Sequence, residues 1–478
     1  VSLHWWTARD LAAAVARREL SAREVVAAHL ERIDAVNGQV NAIVSLRPEA
    51  ALAEAEAADA RYARGEPVGV LHGLPIAIKD LEDTAGIRTT YGSAAYAAHV
   101  PDEDSLLVAR LRAAGAIVVG KTNTPEWGAG SHTFNAVFGA TRNPWSLGRS
   151  AGGSSGGAGA ALAAGMLPIA DGSDHGGSIR NPASFNNVVG LRPTPGVVPD
   201  PGAADAWDVA SVHGPLARTV DDLALIMEAM AGADPRVPLS RGAAGGAGAF
   251  AGPLAPASLR GLRVAWCADV GGLPIEPAVR AVVAAARARF EAEGAVVEDV
   301  APAALAQDAD LAFETLRALG FARDFGADLD ALRGTVKATI VWNVEQGLAL
   351  DGATVAAAVA ARGRVVREMA AVLEDFDVLV APAAQVAPFD VDVEHPRAVD
   401  GVEMPHYLGW MRACSRITVS AHPVAAVPAG FTDDGLPVGL QLVGRFAGDR
   451  RLLEVAAGWE AATGWTSRRP YPASPPAS

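Results

Sequence analysis

Cysteine, lysine and long apolar runs are scarce in this sequence. Two cysteines, Cys267 and Cys414, stand far apart in 478 residues. That excludes a disulfide scaffold and a cysteine-based zinc site. The ten histidines contain no His-Glu-x-x-His, so the metalloprotease motif is missing too. No run of about 18 apolar residues exists to span a membrane. Gly156–Ala170 lacks charge, but it is short and broken by Gly and Pro. The stretch VSLHWWTARDLAAAV carries acid and base early and has no secretory apolar core, so a cytoplasmic location is expected. Of 40 basic residues only three are lysine: Lys79, Lys121 and Lys337. The chain uses arginine wherever either cation will serve. A lysine in that background points to work arginine cannot do, such as being neutral near pH 7.

What is present is apolar material and small residues. Half of the chain is hydrophobic, which permits a sizeable core. The net charge of −14 is spread without long runs, so a nucleic-acid backbone meets repulsion on average. The densest run of small residues is Gly148–Ser178, with Gly152-Gly153-Ser154-Ser155-Gly156-Gly157 near one end and Asp174-His175-Gly176-Gly177-Ser178 at the other. Gly beside Ser allows close backbone approach and N–H groups converging on one atom, which a site for developing negative charge requires. The plainer reading is a surface loop with a small-residue helix packed on a sheet.

Along the chain, Thr7–Asp10 and Ser21–Glu24 resemble capping boxes opening helices over about 8–18 and 22–36. A third helix is expected at 48–63, and further ones at 104–114, 219–231, 277–293, 303–325 and 354–374. Short buried-strand patterns stand at 74–78, 116–119, 167–170, 188–191, 262–266, 296–299, 378–380, 424–427 and 438–443. Residues 240–258, mostly Gly, Ala and Pro without period, read as an exposed, inserted or mobile loop. Alternating strands and helices indicate an α/β protein with one large sheet covered by helices on both faces.

Several motifs now converge. Gly73-Leu-Pro-Ile-Ala-Ile-Lys79-Asp80, the Gly-Gly-Ser-Ser-Gly-Gly block and Asp174-His-Gly-Gly-Ser-Ile-Arg180 resemble the signature of the amidase signature family, serine hydrolases of amides. Lys79 and Ser154 are 75 residues apart, and Ser154 and Ser178 are 24 apart, as in that family. Gly120–Glu126, Gly190–Thr194, Pro428–Phe431 and Gly435–Gln441 match as well. The resemblance is strongest at 70–195 and 420–445 and thin at 200–420. It implies a mixed sheet and a single amidase domain over 1–478. That domain has a helical arm to about 65, a signature core at about 70–195 and a variable, pocket-forming region at about 200–420.

The resemblance also implies roles. Ser178 would be the nucleophile, Ser154 the relay and Lys79 the base, with a cis peptide bond between Gly153 and Ser154. Backbone N–H groups of His175, Gly176, Gly177 and Ser178 would form the oxyanion hole. Gly128, Ala129 and Gly130, with Ser154, would border the substrate, and Phe134 and Phe138 would wall the pocket. Ser155, Asp174 and Arg180 would orient the loop. His175 departs from the small or aliphatic residue usual there, and its side chain either lines the pocket or packs. Lys79 works as a base only when neutral, and burial after Leu74-Pro-Ile-Ala-Ile can lower its pKa. The competing expectation is a surface lysine paired with Asp80 or Asp83.

The expected activity is hydrolysis of linear or cyclic carboxylic amides through an acyl-enzyme on Ser178, without metal or cofactor. The expected partner is a small-molecule amide substrate, not nucleic acid or a membrane, with a homodimer left open. Val341–Leu348 resembles a segment in relatives of 6-aminohexanoate cyclic-dimer hydrolase. The rival enzyme is a glutamine-dependent amidotransferase component. The rival of another class is a non-catalytic protein binding an anion or nucleotide in its Gly-rich loops. Gly115–Thr122 satisfies G-x-x-x-x-G-K-[ST] literally, but its interior, Ala-Ile-Val-Val, is strand material rather than an open phosphate cradle.

Overall fold

The computed structural model describes residues 2–240 and 247–470. Its centre is an eight-stranded mixed sheet. The strand order is Val296–Asp299, Arg263–Trp266, Val378–Pro382, Pro437–Val443, Val424–Phe431, Val189–Arg192, Val212–Ala217 and Ile169–Asp174. The first three run parallel to one another, and the remaining pairings are antiparallel. Neighbouring residues on one strand enter different cores: Ile169 and Ala217 go to one, Ala170 and Leu216 to the other. That is the period-2 alternation of strands buried on both faces. Helices Val220–Met230, Pro277–Ala292 and Asp449–Thr463 supply the first core, and Gly156–Ala163 the second.

A three-stranded sheet stands beside the Ile169–Asp174 edge. Pro75–Lys79 pairs parallel with Ile117–Thr122, which pairs antiparallel with Ile43–Val44. The two sheets meet through a side chain: the Lys79 amide donates to the Asp171 carboxylate at 3.0 Å. This contact brings the end of the lysine strand against the edge that leads into Ser178.

Local chemistry places the helix starts. Thr7 accepts from the Asp10 amide, Ser21 and Glu24 complete a capping box, and Thr219 accepts from the Asp222 amide. The expected helix over 303–325 is two, Ala303–Gln307 and Ala309–Phe325, meeting at Asp308. Strand Val212–Ala217 is absent from the sequence reading because its core, His-Gly-Pro-Leu, carries both strand breakers. Helices Arg180–Asn186, Ala338–Leu348, Arg412–Thr418 and Asp449–Thr463 add to those expected, and Gly156–Ala163 is the small-residue helix of the plainer reading. In the expected loop at 240–258, residues 241–246 lie outside the described residues. Beyond them Ala247–Phe250 forms a 3₁₀ turn, and Phe250 is buried in the core.

Candidate active site

Lys79 ends its strand fully buried, and the strand before it is buried at every position. Its Nζ donates to Ser154 Oγ at 2.8 Å and to Ser173 Oγ at 2.9 Å. Burial lowers its pKa from 10.5 to about 8, against the opposing pull of the Asp171, Glu82 and Asp174 carboxylates. Neither expected surface partner reaches it. Asp80 accepts from the Thr90 amide at 3.1 Å, and Asp83 accepts from the Tyr91 hydroxyl.

Ser154 follows a cis peptide bond from Gly153. Ser178 is nearly buried, and with Ser154 and Ser173 it lines a cavity of about 840 Å³. The two signature serine blocks are held together by the Ser155 amide, which donates to the Ser178 carbonyl at 3.0 Å. Among the described residues the Ser178 hydroxyl has no hydrogen-bond partner in the protein, so its lone pairs stand free at the cavity.

The loop before Ser178 is shaped by Asp174. One carboxylate oxygen accepts from the Gly177 amide at 2.9 Å and the other from the Ile179 amide at 3.0 Å. Arg180 forks onto the same carboxylate at 2.8 and 3.0 Å, and Arg192 stands 3.5 Å away. Burial alone would raise the Asp174 pKa, but Arg180, Arg192 and the Ile179 amide hold it below the usual carboxylate range. Gly177 has φ +116°, and a Cβ there would stand 2.5 Å from Cys414 Cβ. The expected set of four oxyanion donors is corrected in one respect: the Gly177 N–H is already given to Asp174. The N–H groups of His175, Gly176 and Ser178 have no acceptor among the described residues.

The pocket walls differ from the sequence reading. Gly128 lines the cavity beside Ser154, but Ala129 and Gly130 lie behind it, where the Ala129 carbonyl accepts from Lys337 Nζ at 2.9 Å. Phe134 lies under that ammonium at 4.6 Å, and Phe138 under Arg88 at 5.1 Å; neither reaches the cavity. The rings that do are Trp127, Phe313, Phe321 and Phe325. Trp127 and Phe325 stack at 4.3 Å. His175 lines the cavity and leans on Phe313 at 5.5 Å, so both uses expected for it hold at once. Burial, with Arg317 next, lowers its pKa to about 4, leaving it neutral at neutral pH.

Sequence reasoning missed Ser173, Asp171, Glu82 and His213. The first two are i+2 and i on one strand and so face Lys79 together; that alternation was readable inside Ala-Asp-Gly-Ser-Asp. His213 is within 3.3 Å of both Glu82 and Asp200, and against burial these carboxylates raise its pKa to about 9. No local signal announced it. The literal phosphate-loop match is a buried strand whose Lys121 donates to the Glu82 carbonyl at 2.5 Å and to Thr84 Oγ1 at 2.7 Å. It leaves no cradle. Among the described residues, no helix is long and apolar enough to cross a membrane.

A family model described as Amidase matches residues 24–453. An acylamidase of Rhodococcus erythropolis is 38% identical over 471 residues, 98% of each chain. A glutamyl-tRNA(Gln) amidotransferase component of Moorella thermoacetica is 37% identical, covering 98% of this chain and 99% of its own. A bacterial aryl acylamidase of the amidase signature enzymes superposes with a TM-score of 0.89 at 29% identity over 98% of both chains. A 6-aminohexanoate cyclic dimer hydrolase solved with substrate does so at 0.81, also 29% identical, over 98% and 99%. The chain therefore belongs to the amidase signature family and is an amide hydrolase.

Proposed function

We propose that this enzyme hydrolyses N-acyl aryl amides through an acyl-enzyme on Ser178, with Lys79 as base and Ser154 as relay. The observation that carries the reading is a buried amine of lowered pKa that stands 2.8 Å from Ser154 Oγ, a hydroxyl lining the same cavity as Ser178. A serine hydroxyl attacks poorly unless a base takes its proton in the same step. Ser178 Oγ bonds to the amide carbon, its proton passes to Ser154, and the Ser154 proton passes to Lys79. The carbonyl oxygen gains negative charge facing the N–H groups of His175, Gly176 and Ser178. Losing one such donor typically costs about 3 kcal/mol of transition-state stabilisation. Collapse breaks the C–N bond, and the leaving amine receives the proton back through Ser154. Water then repeats the sequence and frees the acid.

The aryl preference is supported by four aromatic rings on the cavity wall and by the likeness to an aryl acylamidase. The likeness to an amidotransferase component sets the rival outcome. The test is release of aniline from acetanilide by the isolated chain, together with fluorophosphonate labelling. Expected are turnover without partner chains or tRNA, and labelling lost in Ser178→Ala. Folded protein that neither labels nor releases aniline, but yields ammonia from glutamine when partners are supplied, would replace this reading with the amidotransferase one.

A further inference from the structure

Helix Ala309–Phe325 forms one wall of the cavity and presents Phe313, Leu316, Arg317 and Phe321 to it. Arg317 is the anomaly among them, a guanidinium only 8% exposed. Its Nη2 donates to the Tyr407 hydroxyl at 3.1 Å, and its plane lies over the Phe321 ring at 4.7 Å. Asn343 Nδ2 donates to the same hydroxyl at 2.5 Å, so Tyr407 is fixed from two sides and in turn fixes Arg317. The Nε is buried without an acceptor. Among the described residues no carboxylate comes within ion-pair distance of this guanidinium.

A buried cation is costly unless an anion or a full set of acceptors meets it. One hydroxyl and one ring face leave most of the five guanidinium donors unanswered. The acids on the cavity lining are engaged elsewhere. Asp200 stands 3.3 Å from His213, Arg323 takes Asp324 at 2.7 Å and Asp205 at 3.9 Å, and Asp208 accepts the Ala210 amide at 2.8 Å. His175 is neutral at neutral pH, so it neither competes with nor compensates the charge. A second guanidinium, Arg362, lines the same cavity, also without a carboxylate at ion-pair distance among the described residues.

We infer that Arg317 anchors a carboxylate carried by the substrate, so that the cavity selects amides bearing an anionic group over neutral amides of the same size. The planar fork of guanidinium donors matches a carboxylate, and the burial of Arg317 reduces the competition from water. The inference rests on the hydrolase reading and adds the chemical class of its substrate.

Two matched pairs test it. 4-Acetamidobenzoate against acetanilide puts the carboxylate on the amine side. Glutaryl-4-nitroanilide against valeryl-4-nitroanilide puts it on the acyl side. In the wild type, kcat/KM for the charged member of at least one pair should exceed that of the neutral member by about tenfold or more, chiefly through KM. The ratio should collapse in Arg317→Gln and fall between the two in Arg317→Lys. Because it is taken within one enzyme, a reduced folded fraction does not distort it. No charged preference in either pair, or a preference that survives both substitutions, overturns the anchor. Calorimetric binding of the same four amides to Ser178→Ala separates this from the parent reading. Equal binding of charged and neutral members overturns the anchor whatever is hydrolysed. Tighter binding of the charged members, with no turnover by wild type, upholds the anchor and overturns the hydrolase.

Discussion

Lys79 and Lys121 stand on neighbouring parallel strands, one register step apart, and burial brings both to about 8. Ile78 faces Lys121 in the ladder and Lys79 faces Thr122, so the pleat sends the two amines to opposite sides. Lys121 ends on the Glu82 carbonyl and the Thr84 hydroxyl, deep in protein. Lys79 ends on two serine hydroxyls that border the cavity. A lowered lysine pKa therefore does not locate chemistry by itself. What the amine touches decides, and only one of these two touches a group that can pass a proton to a substrate.

The largest test of this contrast is Lys79→Arg. Arginine keeps the charge and cannot give it up, so kcat/KM should fall by roughly a thousandfold or more, read by aniline release from protein with unchanged circular dichroism. Appreciable retained turnover would remove Lys79 from the base role. Lys121→Met should do the opposite. It leaves the Glu82 carbonyl and Thr84 without their donor and removes the cation facing Asp80, a loss of about 1–3 kcal/mol seen as a lower midpoint in urea. Activity per labelled Ser178 should stay within about threefold of wild type. If both lysines behaved alike, the contrast would be empty.

The pH profile sharpens the contrast further. As pH falls through about 8, Lys79 takes up a proton and stops serving as a base, so kcat/KM should decline on the acid side of that value. A profile flat down to about pH 5 would contradict a neutral lysine base. The smallest expected effect is in Glu82→Gln. The Glu82 carboxylate favours the protonated form of Lys79, so removing its charge should lower that pKa and move the acid limb to lower pH. An acid limb that moved upward would mean that Glu82 acts through His213 rather than on Lys79 directly.

Much of the site was legible because it is written in residues close together along the chain. The cap at Ser21, the apolar strand into Lys79 and the tight turn at Gly177 all follow from neighbours in sequence. The pocket was not legible. Phe134 and Phe138 lie within the signature core and stay out of the cavity lining, whereas Phe313, Phe321 and Phe325 come from a helix well beyond it. Strand Val212–Ala217 was hidden by its Gly and Pro, which the main sheet tolerates because the strand is paired on both sides along only part of its length.

The amino-acid order alone determined the reactive groups, their spacing and the backbone freedom around them, because residue type and local sterics act over a few bonds. Folding in three dimensions decided the rest: which hydroxyls meet the Lys79 amine, which N–H groups Asp174 takes up or leaves open, and which rings and guanidinium face the substrate. Most of those choices are made by groups tens to hundreds of residues apart competing for the same buried space, and a linear pattern holds no record of how that competition ends.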